Sequence, residues 1–229
     1  LTWTGTHHML AIASLCATHV LRAPAMPSAL GMTRSRIASL SMAANPSAKF
    51  KTSMGEFSAE LYMDRLPITC SNFVDLAKSG HYDGLTFHRV IKGFMCQFGC
   101  PYSKDPKSPR AGTGGPDGGT SFLLPDGSSV TRNGGGNIPD ELIAEITNDV
   151  GTLSMANTGM PNTGGSQFFI NTNHNDFLDY FDTRSPSKHP VFGKITEGLE
   201  VVQAIESVKT AAGDKPVTPV VMESVTIVE

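Results

Sequence analysis

Arg89 lies in the stretch Phe87-His88-Arg89-Val90-Ile91, and after Lys92-Gly93 the chain continues Phe94-Met95-Cys96-Gln97-Phe98. β-Branched and aromatic residues on both sides of a tight turn predict two short strands. Alternation places Phe87, Arg89 and Ile91 on one face, and His88 and Val90 on the other. Arg89 is then a cation fixed among apolar neighbours, and a guanidinium is costly to desolvate unless acceptors are near. Two readings of it stand at this point. It is a wet or carboxylate-paired surface arginine, as most strand arginines are, or a donor kept for a ligand.

A second chemical stretch is Gly165-Ser-Gln-Phe-Phe-Ile-Asn171. As a strand it puts Gln167 and Phe169 on one face and Phe168 and Ile170 on the other. The Gly-rich runs at 112–115 and 134–136 lack the Gly-Lys-Ser/Thr ending of a phosphate loop and sit in no strand–helix unit, which excludes a nucleotide site. Cys16, Cys70, Cys96 and Cys100 show no disulfide framework, and no Cys or His pair has metal-ligand spacing. Cys96 and Cys100 are about 13 Å apart on extended chain, too far to bridge without a bend. Buried free thiols are expected, with thiol control through Cys70, Cys96 or Cys100 as a weaker alternative.

The elements that position these residues follow from pattern. Phe50 to Tyr62 predicts a hairpin turning at Met54-Gly55. Leu66-Pro67 opens a helix whose buried stripe is Cys70, Phe73, Val74 and Ala77, and Gly80 stops it. Residues 101–136 are rich in Pro and Gly without periodicity, a long surface excursion with a small hairpin near Pro125-Asp126-Gly127. Strands are expected at 151–157, 165–171, 189–195 and 217–228. A second helix is expected over 199–208, with Leu199, Val202 and Ile205 inward. Many short strands and two helices imply a mainly β protein: a closed eight-stranded antiparallel barrel capped by two α-helices.

The chain has 229 residues with net charge −3. Residues 1–49 contain four of the 18 basic residues and none of the 21 acids, so the remaining 180 carry −7. An acidic body argues against nucleic acid as the main ligand, and no run of 18 apolar residues marks a membrane span. Residues 9–21 form an apolar run of signal-peptide length. Residues 28–47 are rich in Ser, Ala, Met and Arg, as transit peptides are. The expectation is a targeting extension over 1–49 for import into a plastid in two stages, with the secretory pathway or cytoplasm as alternatives, followed by one domain over 50–229.

Five blocks in order resemble the cyclophilins, the peptidyl-prolyl cis–trans isomerases. They are Phe87-His88-Arg89-Val90-Ile91; Gly93-Phe94-Met95 with Gln97; Ser154-Met155-Ala156-Asn157; Gly165 to Ile170; and Lys188-His189-Pro190-Val191-Phe192-Gly193-Lys194. The likeness covers 50–229 apart from the 101–136 excursion and an insert near 179–187. Gly136-Asn-Ile-Pro-Asp-Glu-Leu142 and the ending from Pro216 to Val225 are more similar to the bacterial and plastid branch than to the cytosolic one.

The resemblance implies a folding helper that acts as a monomer on proline-containing protein or peptide substrates, without cofactor or metal. A non-catalytic module that only holds Pro-containing segments is the alternative. Arg89, Phe94 and Gln97 are the implied catalytic residues. Met95, Phe169 and Leu178 would line the proline pocket with Phe94, His189 would stand on its rim, and Gln97 would hold the guanidinium or a substrate carbonyl. Asn157 would pair with substrate backbone as an added strand does. Gly112 and Ala156 would border a neighbouring groove, with Gln167 beside Phe169. For all of Phe94, Met95 and Gln97 to serve, the turn at Lys92-Gly93 must extend past Phe94. Many relatives have Trp where Phe177 stands, so an indole N–H is missing and affinity for cyclosporin-type inhibitors should be weakened. Gly99-Cys100 stands where relatives often have Gly-Asp.

Overall fold

The computed structural model describes residues 45–228. Most of the expected targeting extension therefore lies outside the described residues. The first strand, β1 (Ser47–Thr52), begins three residues before the expected start at Phe50. It forms a hairpin with β2 (Gly55–Leu61), turning at Ser53-Met54 with Thr52 opposite Gly55, one residue earlier than expected. Helix α1 (Pro67–Lys78) follows. Next come β3 (Arg89–Ile91), β4 (Met95–Phe98), the small hairpin β5 (Ser121–Leu123) and β6 (Ser129–Thr131), then β7 (Thr152–Met155) and β8 (Phe168–Asn171). The chain closes with β9 (Val191–Glu197), α2 (Leu199–Glu206), β10 (Thr210–Ala211), β11 (Lys215–Pro216) and β12 (Met222–Val228).

Eight strands form one antiparallel sheet in the order β12-β1-β2-β9-β7-β8-β4-β3. The sheet curls but does not close, which corrects the expected closed barrel. Its edge strands β3 and β12 are not paired with each other. The segment before β3 meets the start of β12 and the residues ahead of it, where Thr86 bridges Val221, Phe87 N–H donates to Val220 O and Met222 N–H donates to Leu85 O. Phe87 is also not part of β3: it leaves the alternation and is buried in the main core with Val90, instead of sharing a face with Arg89.

The main core is aromatic. Phe168 meets Phe50, Phe73, Tyr82, Phe98 and Phe192 with ring centroids 5.6–6.3 Å apart. Each such ring removes a large apolar area from water, about 1.5–3 kcal/mol per side chain. Of the stripe expected on α1, Cys70, Phe73 and Ala77 are buried and Val74 is half-buried. Pro67 occupies the first turn, where its missing N–H costs nothing. The next two N–H groups, of Ile68 and Thr69, donate to the carboxylate of the distant Glu141 at 3.0 and 2.6 Å. On α2, Val202 and Ile205 are buried while Leu199 is only half-buried.

The 101–136 excursion is pinned to the body. Arg132 is buried and donates to Asn72 Oδ1 at 2.8 Å, Thr120 Oγ1 at 3.0 Å and Asp75 Oδ2 at 2.7 Å. Its guanidinium also lies over the Phe122 ring. A buried cation this fully hydrogen-bonded ties β5 and β6 to α1. Gly99 is required by the backbone: its φ is +96°, and a Cβ there would lie 2.2 Å from Ser166 O. Only glycine tolerates that approach. Cys70, Cys96 and Cys100 are free and buried. Burial pushes the Cys70 and Cys96 thiols up, and no pair is joined, so the thiol-control alternative gains nothing from the structure.

Candidate active site

Strand register builds the site. Arg89 on β3 stands opposite Gln97 on β4, and Gln97 stands opposite Phe169 on β8. One step along, Ile91, Met95 and Asn171 form a parallel row. Side chains of directly opposed residues point to the same face of a sheet. The Arg89-Gln97-Phe169 row and the Ile91-Met95 pair therefore share one surface, while Val90, Cys96, Phe168 and Ile170 go to the core behind it. Alternation predicts this much, and the structure adds the pairing between strands.

Over that surface lies a second apolar cluster, separate from the main core. Met95, Phe169 and Leu178 are buried in it, with Ile91, Phe94 and Ala156 packed against them. Leu178 arrives on a short 3-10 turn, Asp176–Leu178. Phe94 lies in the turn itself, its N–H donating to Ile91 O at 3.1 Å. The turn thus spans Lys92 to Phe94, as serving alongside Met95 and Gln97 requires. Phe177 is 47% exposed and its ring stacks on Phe94, centroids 5.8 Å apart. His189 sets its ring edge-on to Phe169 at 5.3 Å. Its Nδ1 donates to Met155 O at 2.8 Å, which leaves Nε2 as the neutral ring's acceptor. Burial lowers the His189 pKa, and the hydrogen bond to Met155 opposes that only in part.

Beside the cluster runs a groove of about 480 Å³, lined by Gln97, Gly112, Gly114, Ala156, Asn157 and Gln167 among others. Phe94, Met95, Phe169 and Leu178 do not line it, so this groove is distinct from the apolar cluster. Gly112 and Ala156 do border this groove. Gln167 forms its floor: Nε2 donates to Gly112 O at 3.0 Å and Gly114 O at 2.8 Å, and Oε1 accepts from Gln97 Nε2 at 3.1 Å. A Cβ at Gly112, whose φ is +93°, would lie 3.2 Å from the His88 ring. His88 is 7% exposed, with Nδ1 unpartnered. Burial pushes its pKa down to about 4, and a hydrogen bond to Gln167 opposes this only partly.

Asn157 holds its loop with its side chain, Nδ2 donating to Lys188 O and Oδ1 accepting from Gly159 N–H. Among the described residues its backbone N–H and C=O take no partner. Both remain open to an extended peptide. The 179–187 insert is anchored by Asp179, whose carboxylate accepts from Asn148 N at 2.7 Å, Asn148 Nδ2 at 2.8 Å and Thr147 Oγ1 at 2.7 Å.

Two features escape pattern reading. The first is a buried amide network of Asn148, Asn171 and Asn175 behind the apolar cluster. Asn175 Nδ2 donates to Phe94 O at 3.0 Å and to Asn171 Oδ1 at 2.8 Å. Asn148 Nδ2 also reaches His189 O at 3.2 Å. The network fixes the backbone of two residues at the cluster. The second is Asp214, from the β10–β11 turn, whose carboxylate lies 3.5 Å from Arg89 Nε. Of the two roles expected for Gln97, holding the guanidinium or a substrate carbonyl, no hydrogen bond among the described residues serves the first: its Nε2 donates to Gln167 Oε1 at 3.1 Å.

A family model described as cyclophilin type peptidyl-prolyl cis-trans isomerase matches residues 47–227. Peptidyl-prolyl cis-trans isomerase-like 1 of Aspergillus oryzae is 39% identical over 181 residues, covering 79% of this chain and 94% of that protein. The protein of the same name in Rhizopus delemar is 42% identical, covering 72% and 82%. A cyclophilin-type isomerase from Cryptosporidium parvum has a similar crystal structure, with a TM-score of 0.63 and 29% identity, covering 81% of this chain and 98% of that one. That protein has also been crystallised in the presence of the dipeptide Ala-Pro.

Proposed function

The chain belongs to the cyclophilin-type peptidyl-prolyl cis–trans isomerases and is an enzyme of that class; from this premise we propose that it rotates Xaa–Pro bonds in protein segments laid across the Arg89-Gln97-Phe169 face. The bond is held by about 18–20 kcal/mol of amide resonance and isomerises unaided over tens of seconds or more. No covalent bond breaks. Rotation is helped by an apolar seat for the proline ring and by a donor that meets the prolyl nitrogen as it loses conjugation. That interaction strengthens only in the twisted state, so it accelerates the step instead of merely tightening binding.

The Met95, Phe169 and Leu178 cluster supplies the seat, with Phe94 and His189 at its edges. Arg89 supplies the donor, since its guanidinium keeps its charge at any working pH. Asn157 pairs with the substrate backbone, and the adjoining Gly112 and Ala156 groove takes the chain beyond the proline. The observation that carries this reading is the shared row of Arg89, Gln97 and Phe169 beside a separate apolar cluster. Phe177 offers no indole donor, which supports weakened binding of cyclosporin-type inhibitors.

Two-dimensional exchange NMR on an Ala-Pro peptide tests the function. Cis–trans cross-peaks should appear at substoichiometric protein. A peptide that binds without faster exchange would leave a holding module instead. The run Gly136 to Leu142 supports placement in the bacterial and plastid branch, and the acid-free residues 1–49 support import into a plastid. Mass spectrometry of the mature N-terminus in native protein checks the second point, and a start that leaves the 28–47 run attached would contradict it.

A further inference from the structure

The guanidinium assigned to the prolyl nitrogen needs something to aim it. Arginine has four rotatable side-chain bonds, and an unheld one spreads over many rotamers. Gln97 faces Arg89 across the strand pair, but its Nε2 is turned to Gln167 Oε1, and among the described residues no hydrogen bond joins it to the guanidinium. Among the described residues the one ion-pair or hydrogen-bond partner of the Arg89 side chain is Asp214, at 3.5 Å from Nε. The two terminal nitrogens carry no such contact.

Asp214 is itself fixed by the backbone. Its C=O accepts the Val90 N–H at 2.7 Å, which ties the β10–β11 turn to the strand carrying Arg89. Its N–H donates to Ala211 O at 3.1 Å. Its φ is +60°, a left-handed conformation that side chains other than Asp and Asn rarely adopt. The turn therefore delivers a carboxylate to one place beside the guanidinium. Both side chains remain 43% and 46% exposed, so the contact lies at the mouth of the site and not inside the core.

We propose that Asp214 is the positioning residue for Arg89, holding the guanidinium at Nε so that its terminal nitrogens face the prolyl bond. This rests on the reading of Arg89 as the transition-state donor. Asp214 touches no substrate and acts only through Arg89.

The test is Asp214→Asn, which keeps the left-handed preference and the shape of the side chain while removing its charge. It should lower kcat roughly fivefold, the scale of one half-exposed ion pair, with KM and the unfolding midpoint unchanged. The Arg89 Nε–H resonance should lose order in NMR relaxation. In an Arg89→Ala background, Asp214→Asn should change nothing further, because the coupling runs through the missing guanidinium. The proposal is overturned if Asp214→Asn turns over at the wild-type rate while Arg89→Ala is impaired, or if it costs the same factor in both backgrounds. An Arg89→Ala enzyme as fast as the wild type would remove the underlying reading, and this one with it.

Discussion

Burial at the groove makes this fold resist protonation of a histidine, not of the residue assigned to the chemistry. Guanidinium groups as a class stay charged over the working range, so a mechanism carried by Arg89 should keep kcat/KM flat from neutral pH upward until the substrate or the fold responds. His88 behaves otherwise. It is neutral when folded, its pKa pushed down to about 4 by burial, against 6.5 for an exposed imidazole. As pH falls below that unfolded value, the unfolded chain takes up a proton that the folded chain refuses. Stability is therefore full above about pH 6.5 and declines as pH drops towards 4, by an amount on the order of 3 kcal/mol. Burial lowers the pKa of His81 and His189 too, which adds in the same direction. Urea unfolding midpoints at pH 7.5 and pH 5 measure the loss, and His88→Gln should reduce it. An unchanged midpoint difference in that variant would contradict the assignment to His88.

The neighbouring pair Phe168 and Phe169 shows what a strand does with two identical side chains. Phe168 points into the aromatic core and Phe169 into the apolar cluster at the site. Phe168→Ala should cost about 3–5 kcal/mol of stability. Phe169→Ala should cost less stability and raise KM for Xaa-Pro peptides, because it empties the proline seat. Equal stability losses with equal KM values would contradict the two-face reading. This division was legible in the sequence, since period two acts locally on Gln167 to Ile170. The limits of legibility were also local. Phe87 lies outside β3, and alternation misplaced it because a three-residue strand does not constrain the residue two before it. The Glu141 carboxylate that takes the first N–H groups of α1 lies more than seventy residues away, where no spacing rule reaches. Its loss, Glu141→Ala, should lower stability by about 1–2 kcal/mol, as removal of a helix cap does, with kcat/KM little changed. A wild-type unfolding midpoint would show that water replaces the cap at no cost.

At the scale of the molecule, one curled sheet carries both functions of the chain, core on one side and site on the other. The sequence blocks carry Phe94, Met95, Ala156 and Phe169 of the apolar cluster and Gln97, Asn157 and Gln167 of the groove, but not the glycine- and threonine-rich remainder of the groove lining. Asp214, Asn148 and Asn175 were invisible because they arrive from segments with no chemical motif of their own, and Asn171, though it ends a strand with one, meets Asn148 and Asn175 from outside that strand. The barrel's closure was overread, because counting strands does not show whether the first and last edges pair. What the sheet provides is rigidity: register across β3, β4 and β8 sets Arg89, Gln97 and Phe169 in one row. The measurement that tests this most directly is a protease-coupled Xaa-Pro assay on the whole chain, its Arg89→Ala variant and its Arg89→Lys variant. Removing a donor aimed at developing transition-state charge costs about a hundredfold or more in rate. Arg89→Ala should fall by that factor with KM little changed, and Arg89→Lys should recover only part, since an ammonium lacks the planar fork. Equal kcat/KM for all three proteins would contradict the central claim.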